Sequence, residues 1–107
     1  MRRLLIVEHV FAIDGHRLLL LPDFSWGPPV KAASAEIRRS DGDVIAVMLE
    51  AAAEQRCFAA AEARPKNVRA AARVCLIRGA TEADLPIGSE LWCDDAFASE
   101  LLDRADA

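Results

Sequence analysis

Cysteine and histidine are the residue types in this 107-residue chain that could carry nucleophilic catalysis. The sequence has three cysteines, Cys57, Cys75 and Cys93, and two histidines, His9 and His16. A catalytic thiol needs a lowered pKa and a histidine base within hydrogen-bonding reach. Free cysteines are more often small core residues, and Cys75 lies in an apolar run. We therefore predict that the chain is not an enzyme, and a small cysteine-dependent enzyme is the alternative.

Metal-ligand patterns are weak in this sequence. His9 and His16 are separated by a predicted strand and turn, and the cysteines have no CxxC spacing, which zinc sites commonly use. The acidic segment Ser40–Asp43 lacks the further carboxylates of an EF-hand loop, and its Asp-Gly pair is first a hairpin signal. We expect neither a metal nor a cofactor.

Three residues are the predicted partner-binding residues: Trp26, Arg38 and Arg39. Trp26 lies in a proline-rich loop, where it either folds back onto the core, which we favour, or anchors a partner. Arg38 and Arg39 lie beside a hairpin turn, where they could contact phosphate. Charges that protect a strand edge from aggregation explain the same two arginines more simply.

Composition limits the classes of function and location. Thirteen Lys and Arg against 17 Asp and Glu give a net charge of −4, so non-specific nucleic-acid binding is not expected. The apolar fraction of 53% is enough for the core of one domain. The odd cysteine count favours a reducing compartment. Because no secretory core or membrane-length apolar run is found, we expect a cytoplasmic protein without a membrane association.

The elements that must position these residues are predicted to be short strands and turns. Residues 3–13 alternate with period two, Asp14-Gly15 predicts a tight turn, and Leu18–Leu21 predicts a return strand that Pro22 ends. A second Asp-Gly turn, Ser40–Asp43, joins predicted strands over 35–39 and 44–49. The chain therefore opens with two β-hairpins.

The second half mixes strands with short helical signals. Residues 50–64 leave two alternatives: their alanines favour a helix, whereas tertiary pairing would favour a strand followed by an irregular loop. Further predicted elements are a buried strand at 74–77, one helical turn at 81–84, a last strand at 89–93 and a terminal helix capped by Asp94 or Asp95. Short strands separated by turns predict a small closed barrel or sandwich.

Two segments resemble domain two of elongation factor Tu and other translational GTPases. They are Val7–Gly15 (VEHVFAIDG) and Val74–Leu91 (VCLIRGATEADLPIGSEL), and the similarity covers about residues 5–93. The resemblance implies an all-β fold, a small closed β-barrel of the translation-protein type, over residues 1–94. It leaves 95–107 as a short C-terminal helix packed on the barrel or as a tail, and it favours a strand and loop for 50–64.

The same resemblance implies a non-catalytic binding module that docks to a protein or a translation-related ribonucleoprotein. The family's GTPase domain has no counterpart, because the five glycines never form the GxxxxGK[ST] phosphate loop. We therefore expect neither GTP binding nor GTPase activity. The sequence also departs from the family at Ala33-Ser34, where a Gly-Asp pair is usual, and at His9, where an Asp is usual.

Overall fold

Strands form about half of the residues that the structure, a computed structural model, describes. The described residues are 1–13, 16–24, 31–54, 57–58, 63–69 and 72–102. In chain order the elements are β1 (Arg2–Ile6), β2 (His9–Ala12), β3 (Leu18–Phe24), β4 (Lys31–Arg38), β5 (Val44–Ala53), β6 (Arg73–Arg78), a 3-10 turn (Glu82–Asp84), β7 (Glu90–Cys93) and α1 (Asp95–Leu102). The mostly β character predicted from the sequence is confirmed.

The first predicted hairpin is present, and its second strand is longer than expected. β2 and β3 pair antiparallel, with His9 opposite Leu21; the predicted Asp14-Gly15 turn lies outside the described residues. The prediction that Pro22 ends the return strand is wrong, because β3 continues to Phe24. The ladder between β3 and β6 shifts register between Leu20 and Phe24. Proline, which lacks an N–H, is tolerated at such an irregularity.

The second predicted hairpin is confirmed. β4 and β5 pair antiparallel along eight residues, from Lys31 opposite Ala51 to Arg38 opposite Val44. In the turn, the Asp43 N–H donates to the Asp41 carboxylate over 3.0 Å, and Gly42 has a φ of +93°, which only glycine adopts readily. The Asp-Gly pair therefore serves the turn, as expected.

The alanine-rich segment after Leu49 begins as a strand. β5 continues to Ala53 because Ala51, Ala52 and Ala53 pair with β6, and this pairing overrides the helical preference of alanine. The strand alternative is thus confirmed for residues 50–53. Residues 55–56 and 59–62 of the predicted loop lie outside the described residues.

The seven strands form one curled antiparallel sheet in the order β1-β7-β4-β5-β6-β3-β2. The predicted closed barrel is wrong: the sheet is a half-barrel whose two edge strands, β1 and β2, follow each other in the chain. They lie at opposite ends of the strand order and do not pair with each other. At their junction, the Val7 N–H donates to the Ser89 carbonyl over 2.8 Å and the Glu8 N–H to the Leu21 carbonyl over 2.9 Å.

The concave side of the sheet holds the main hydrophobic core, which α1 completes. Phe97, Ala98 and Leu101 of α1 are buried in the same cluster as Ile37 and Leu91. The helix begins as predicted, because the Phe97 N–H donates to the Asp94 carboxylate over 2.8 Å. α1 is the one α-helix in the part of the chain that the structure describes, and it is too short and too polar to cross a bilayer.

The convex side of the sheet is covered over part of its width. Leu19 and Leu21 of β3 and Leu76 of β6 form a second cluster there with Val68, a residue of the segment between β5 and β6. The outer faces of β4 and β5 are more open, and Met48 keeps 50% of its surface exposed. This uncovered part of the convex side positions the candidate site.

Candidate functional site

Strand alternation determines which side chains of β4 and β5 reach the convex surface. Ile37 of β4 and Leu49 of β5 are fully buried in the core, so their neighbours in the chain point outward. On β5 these outward residues are Val44, Ala46 and Met48, all exposed. From Val44 to Met48 the outer side of β5 is therefore an apolar stripe, and Glu50 follows it on the same side.

Three hollows meet at Arg78, at the end of β6, and together we call them the Arg78 groove. The first, about 230 Å³, is lined by Arg17, Ala32, Met48, Glu50, Leu76 and Arg78 among others. The second, about 290 Å³, includes Ser34, Ala46, Met48, Arg78 and Gly79. The third, about 430 Å³, is lined by His16, Arg78, Gly79, Ala80, Thr81 and Asp84. Arg78 is the residue common to all three.

The carboxylates of the groove are engaged, and Arg78 is not. Glu50 lies 3.8 Å from the guanidinium of Arg17. Asp84 accepts hydrogen bonds from the N–H and the hydroxyl of Thr81, over 2.9 and 3.0 Å. The backbone N–H of Thr81, then its hydroxyl, lowers the pKa of the Asp84 carboxyl. Arg78 is exposed, and its side chain has no hydrogen bond or ion pair with any described residue.

Arg38, a predicted partner-binding residue, belongs to a paired cluster around Trp92. Its guanidinium carbon lies 4.0 Å from the Trp92 ring centroid, and its Nε donates to Glu36 over 3.1 Å. The Trp92 indole N–H donates to Glu90 over 3.0 Å, and Arg3 donates to the same carboxylate over 3.2 Å. The indole donor and then Arg3 lower the pKa of Glu90. The cation of Arg38 is thus held by its own chain.

Arg39 and Trp26 do not join Arg38 in one patch. Alternation directs Arg39 to the opposite side of the chain from Arg38, where it contacts Asp41 over 2.7 Å. Its Nε is buried and has no hydrogen-bond partner among the described residues. The Asp43 N–H, and to a lesser degree Arg39, lower the pKa of Asp41. Trp26 lies outside the described residues.

The three thiols are in environments that favour the protonated form. Cys75 and Cys93 are fully buried, and burial raises the pKa of Cys93 to about 11 and that of Cys75 further. Burial also raises the pKa of the half-buried Cys57, whose thiol donates to the Ala53 carbonyl over 3.7 Å. A nucleophilic thiol needs the opposite shift.

The histidines and acidic residues do not gather into a metal site in the described ranges. His9 stacks on Phe11 with ring centroids 6.1 Å apart, and His16 lines the third hollow. No group of three or more His, Cys, Asp or Glu side chains among the described residues could hold a metal ion.

The sequence predictions did not identify the Arg78 groove. Its walls come from segments that are distant in the chain, around Arg17, Met48 and Arg78. One local signal was available: residues 44–48 (VIAVM) are apolar at every position, although the strand of a simple half-buried hairpin is polar on one face.

The chain matches no protein-family model, and neither curated proteins nor solved structures match it.

Proposed function

We propose that the chain is a non-catalytic binding module, similar to domain two of elongation factor Tu, that docks to a protein or a translation-related ribonucleoprotein. The observation that carries the proposal is the Arg78 groove. It combines an exposed guanidinium without a described partner and an apolar wall, Met48 and Ala46. An exposed cation beside an exposed apolar surface is suited to binding another molecule.

A protein surface is the favoured partner. Glu36, Glu50 and Glu90 alternate with arginines on the convex side of the sheet, so a phosphate backbone would meet negative charge as well as positive. Nucleic-acid surfaces are usually bound by an uninterrupted basic track. A ribonucleoprotein would on this account be contacted through one of its proteins.

The order of elements supports the proposed similarity to the translational barrels. Within the segment VEHVFA, residues His9–Ala12 (HVFA) form β2 of the first hairpin. Gly79, with a φ of +100°, follows β6, and a 3-10 turn and β7 come next. This succession of strand end, helical turn and last strand is the one that the resemblance implies.

The cysteine-dependent enzyme is the weaker alternative. Burial and the raised pKa values of Cys75 and Cys93 disfavour a thiolate at neutral pH. On the proposed function, iodoacetamide labels all three thiols of the folded chain more slowly than those of the unfolded chain. Faster labelling of one thiol in the folded chain would favour the enzyme.

Site-directed photo-crosslinking tests the docking surface. A benzoylphenylalanine at Ala46, on the outer side of β5, is compared with one at Ala96, an exposed residue of α1. In an extract of the source cells we expect one defined protein adduct from position 46 and none from position 96. Equal adducts, or none from either position, would contradict the proposal.

Ribosome retention at rising salt distinguishes the two partner types. Retention that falls steeply with salt indicates direct contact with ribosomal RNA, because counterion release makes phosphate binding salt-dependent. Retention insensitive to salt, or an adduct without retention, indicates a protein.

A further inference from the structure

We propose that the Arg78 groove binds an extended acidic segment of a partner protein, with a carboxylate on Arg78 and a neighbouring apolar side chain against Met48. This inference rests on the proposed function and adds the chemical class of the ligand. It follows from the shape of the groove, from the guanidinium of Arg78, which no described residue pairs with, and from the apolar wall.

The shape of the groove fits an extended backbone. The lining runs from Leu76 and Arg78 of β6 to Gly79, Ala80 and Thr81, which lie beyond the end of the strand. Gly79 belongs to both the second and the third hollow. A Cβ at Gly79 would come within 3.6 Å of the Ala46 carbonyl oxygen, so any larger side chain would occupy space between the two hollows. Hollows that share residues in this way form a continuous surface, which suits an extended peptide better than a single side chain.

The charge in the first two hollows of the groove selects an anion. Glu50 is paired there with Arg17, which leaves the guanidinium of Arg78 as the charged group that no described residue pairs with. The Asp84 carboxylate accepts hydrogen bonds from the neutral Thr81 and keeps its negative charge in the third hollow. Guanidinium binds a carboxylate through two parallel hydrogen bonds. A basic segment would place its cation beside this guanidinium and would be repelled.

The apolar wall favours an acidic peptide over a phosphate backbone. Met48 is 50% exposed beside Arg78, and Ala32 and Ala46 are exposed on either side of it. In an extended peptide, side chains two positions apart project to the same side. An acidic residue on Arg78 can therefore place an apolar side chain, two residues away, on Met48.

The test is selection of a phage-displayed library of random 12-residue peptides on the immobilised full chain. We expect the selected peptides to share Asp or Glu with an apolar residue two positions away. Their synthetic forms should bind Arg78→Ala at least about tenfold more weakly than the unaltered chain, which corresponds to about 1.4 kcal/mol of binding free energy. Met48→Glu should weaken binding as well.

Lys66→Ala is the matched control. Lys66 is exposed, has no partner among the described residues and does not line the groove. Lys66→Ala removes one positive charge, as Arg78→Ala does, and should leave peptide binding unchanged. Thermal unfolding of Arg78→Ala, Met48→Glu and Lys66→Ala verifies that each variant is folded, as expected for substitutions of exposed side chains.

The acidic-segment proposal would be overturned by basic or no selected peptides, by equal binding to Arg78→Ala, or by competition from transfer RNA that weakens with salt. If the chain forms concentration-dependent dimers and Met48→Glu dissociates them, the groove binds a second copy of the chain. That result would also overturn the acidic-segment proposal. If the adduct at position 46 persists in Arg78→Ala, the proposed function stands and the acidic ligand is rejected.

Discussion

Arginine side chains of this protein differ in how much of their charge is already used. Arg3 is bound to Glu90, Arg38 to Glu36 and Trp92, and Arg39 to Asp41. Exposed ion pairs contribute little to stability, so the effect of these contacts is mainly to fix the side chains. Arg78 has no such contact with the described residues, and it can pair with an external carboxylate without breaking an internal one.

Because of the buried thiols, the free energy of unfolding should fall as the pH becomes alkaline. The pKa of Cys93 is about 11 in the folded chain against an ordinary value of 9.0. Below pH 9 both states keep the proton and the stabilisation is complete. As pH rises from 9 to 11 the unfolded chain loses its proton first. At about 1.4 kcal/mol per pH unit, the free energy of unfolding should fall by roughly 2 kcal/mol through Cys93 alone.

Urea unfolding in reducing buffer between pH 8 and 11 measures this loss. Cys93→Ala should make the dependence shallower, although Cys75 shifts in the same direction and should keep part of it. Cys57→Ala, at a half-buried position, is the control and should retain most of the dependence. If the free energy of unfolding of Cys93→Ala fell with pH as steeply as that of the unaltered chain, Cys93 would not be a source of the pH dependence.

At the scale of elements, local signals in the sequence predicted those parts that local interactions determine. The Asp41-Gly42 turn and the Asp94 cap depend on hydrogen bonds between near neighbours, and both were predicted. Of the two candidate caps, Asp94 receives the Phe97 N–H, whereas Asp95 lies 3.5 Å from the amino group of Met1. The course of β3 past Pro22 depends on its register with β6, which the local sequence does not specify.

The neighbouring aspartates at the start of α1 give a matched pair of variants. Asp94→Ala removes the acceptor for the Phe97 N–H and should lower the free energy of unfolding by about 1 kcal/mol. Asp95→Ala removes an ion pair whose acidic side chain is 77% exposed, and its effect should stay below about 0.5 kcal/mol. Urea unfolding followed by circular dichroism compares them. Equal losses would mean that Asp94 does not act as the cap.

For the whole molecule, burial in the curled sheet should control the effect of isoleucine truncation. Ile37 is fully buried, whereas Ile87 is 67% exposed. Ile37→Ala should therefore lower the free energy of unfolding by about 2–5 kcal/mol, and Ile87→Ala by less than about 0.5 kcal/mol. Chemical unfolding of both variants provides the comparison, and similar losses would contradict the placement of the core.

The curvature and the groove of the whole molecule could not be predicted from local patterns. The sequence indicated hairpins and a last strand, but the half-barrel arises because β1 pairs with β7 and β2 with β3. Such pairings depend on tertiary contacts between distant segments. The Arg78 groove has the same origin, because Arg17, Met48 and Arg78 meet only after β3, β5 and β6 have aligned.

The pairing of β1 with β7 also affects the time course of synthesis. Arg2 lies opposite Cys93, so β1 can pair with its neighbouring strand only after Cys93 has been translated. Until then the nascent hairpins expose an unpaired sheet edge. Contacts between residues so far apart in the sequence also slow folding. Chaperones that bind nascent chains and shield this edge should therefore raise the yield of native protein, and β1 should pair with β7 only after residue 93 has been translated.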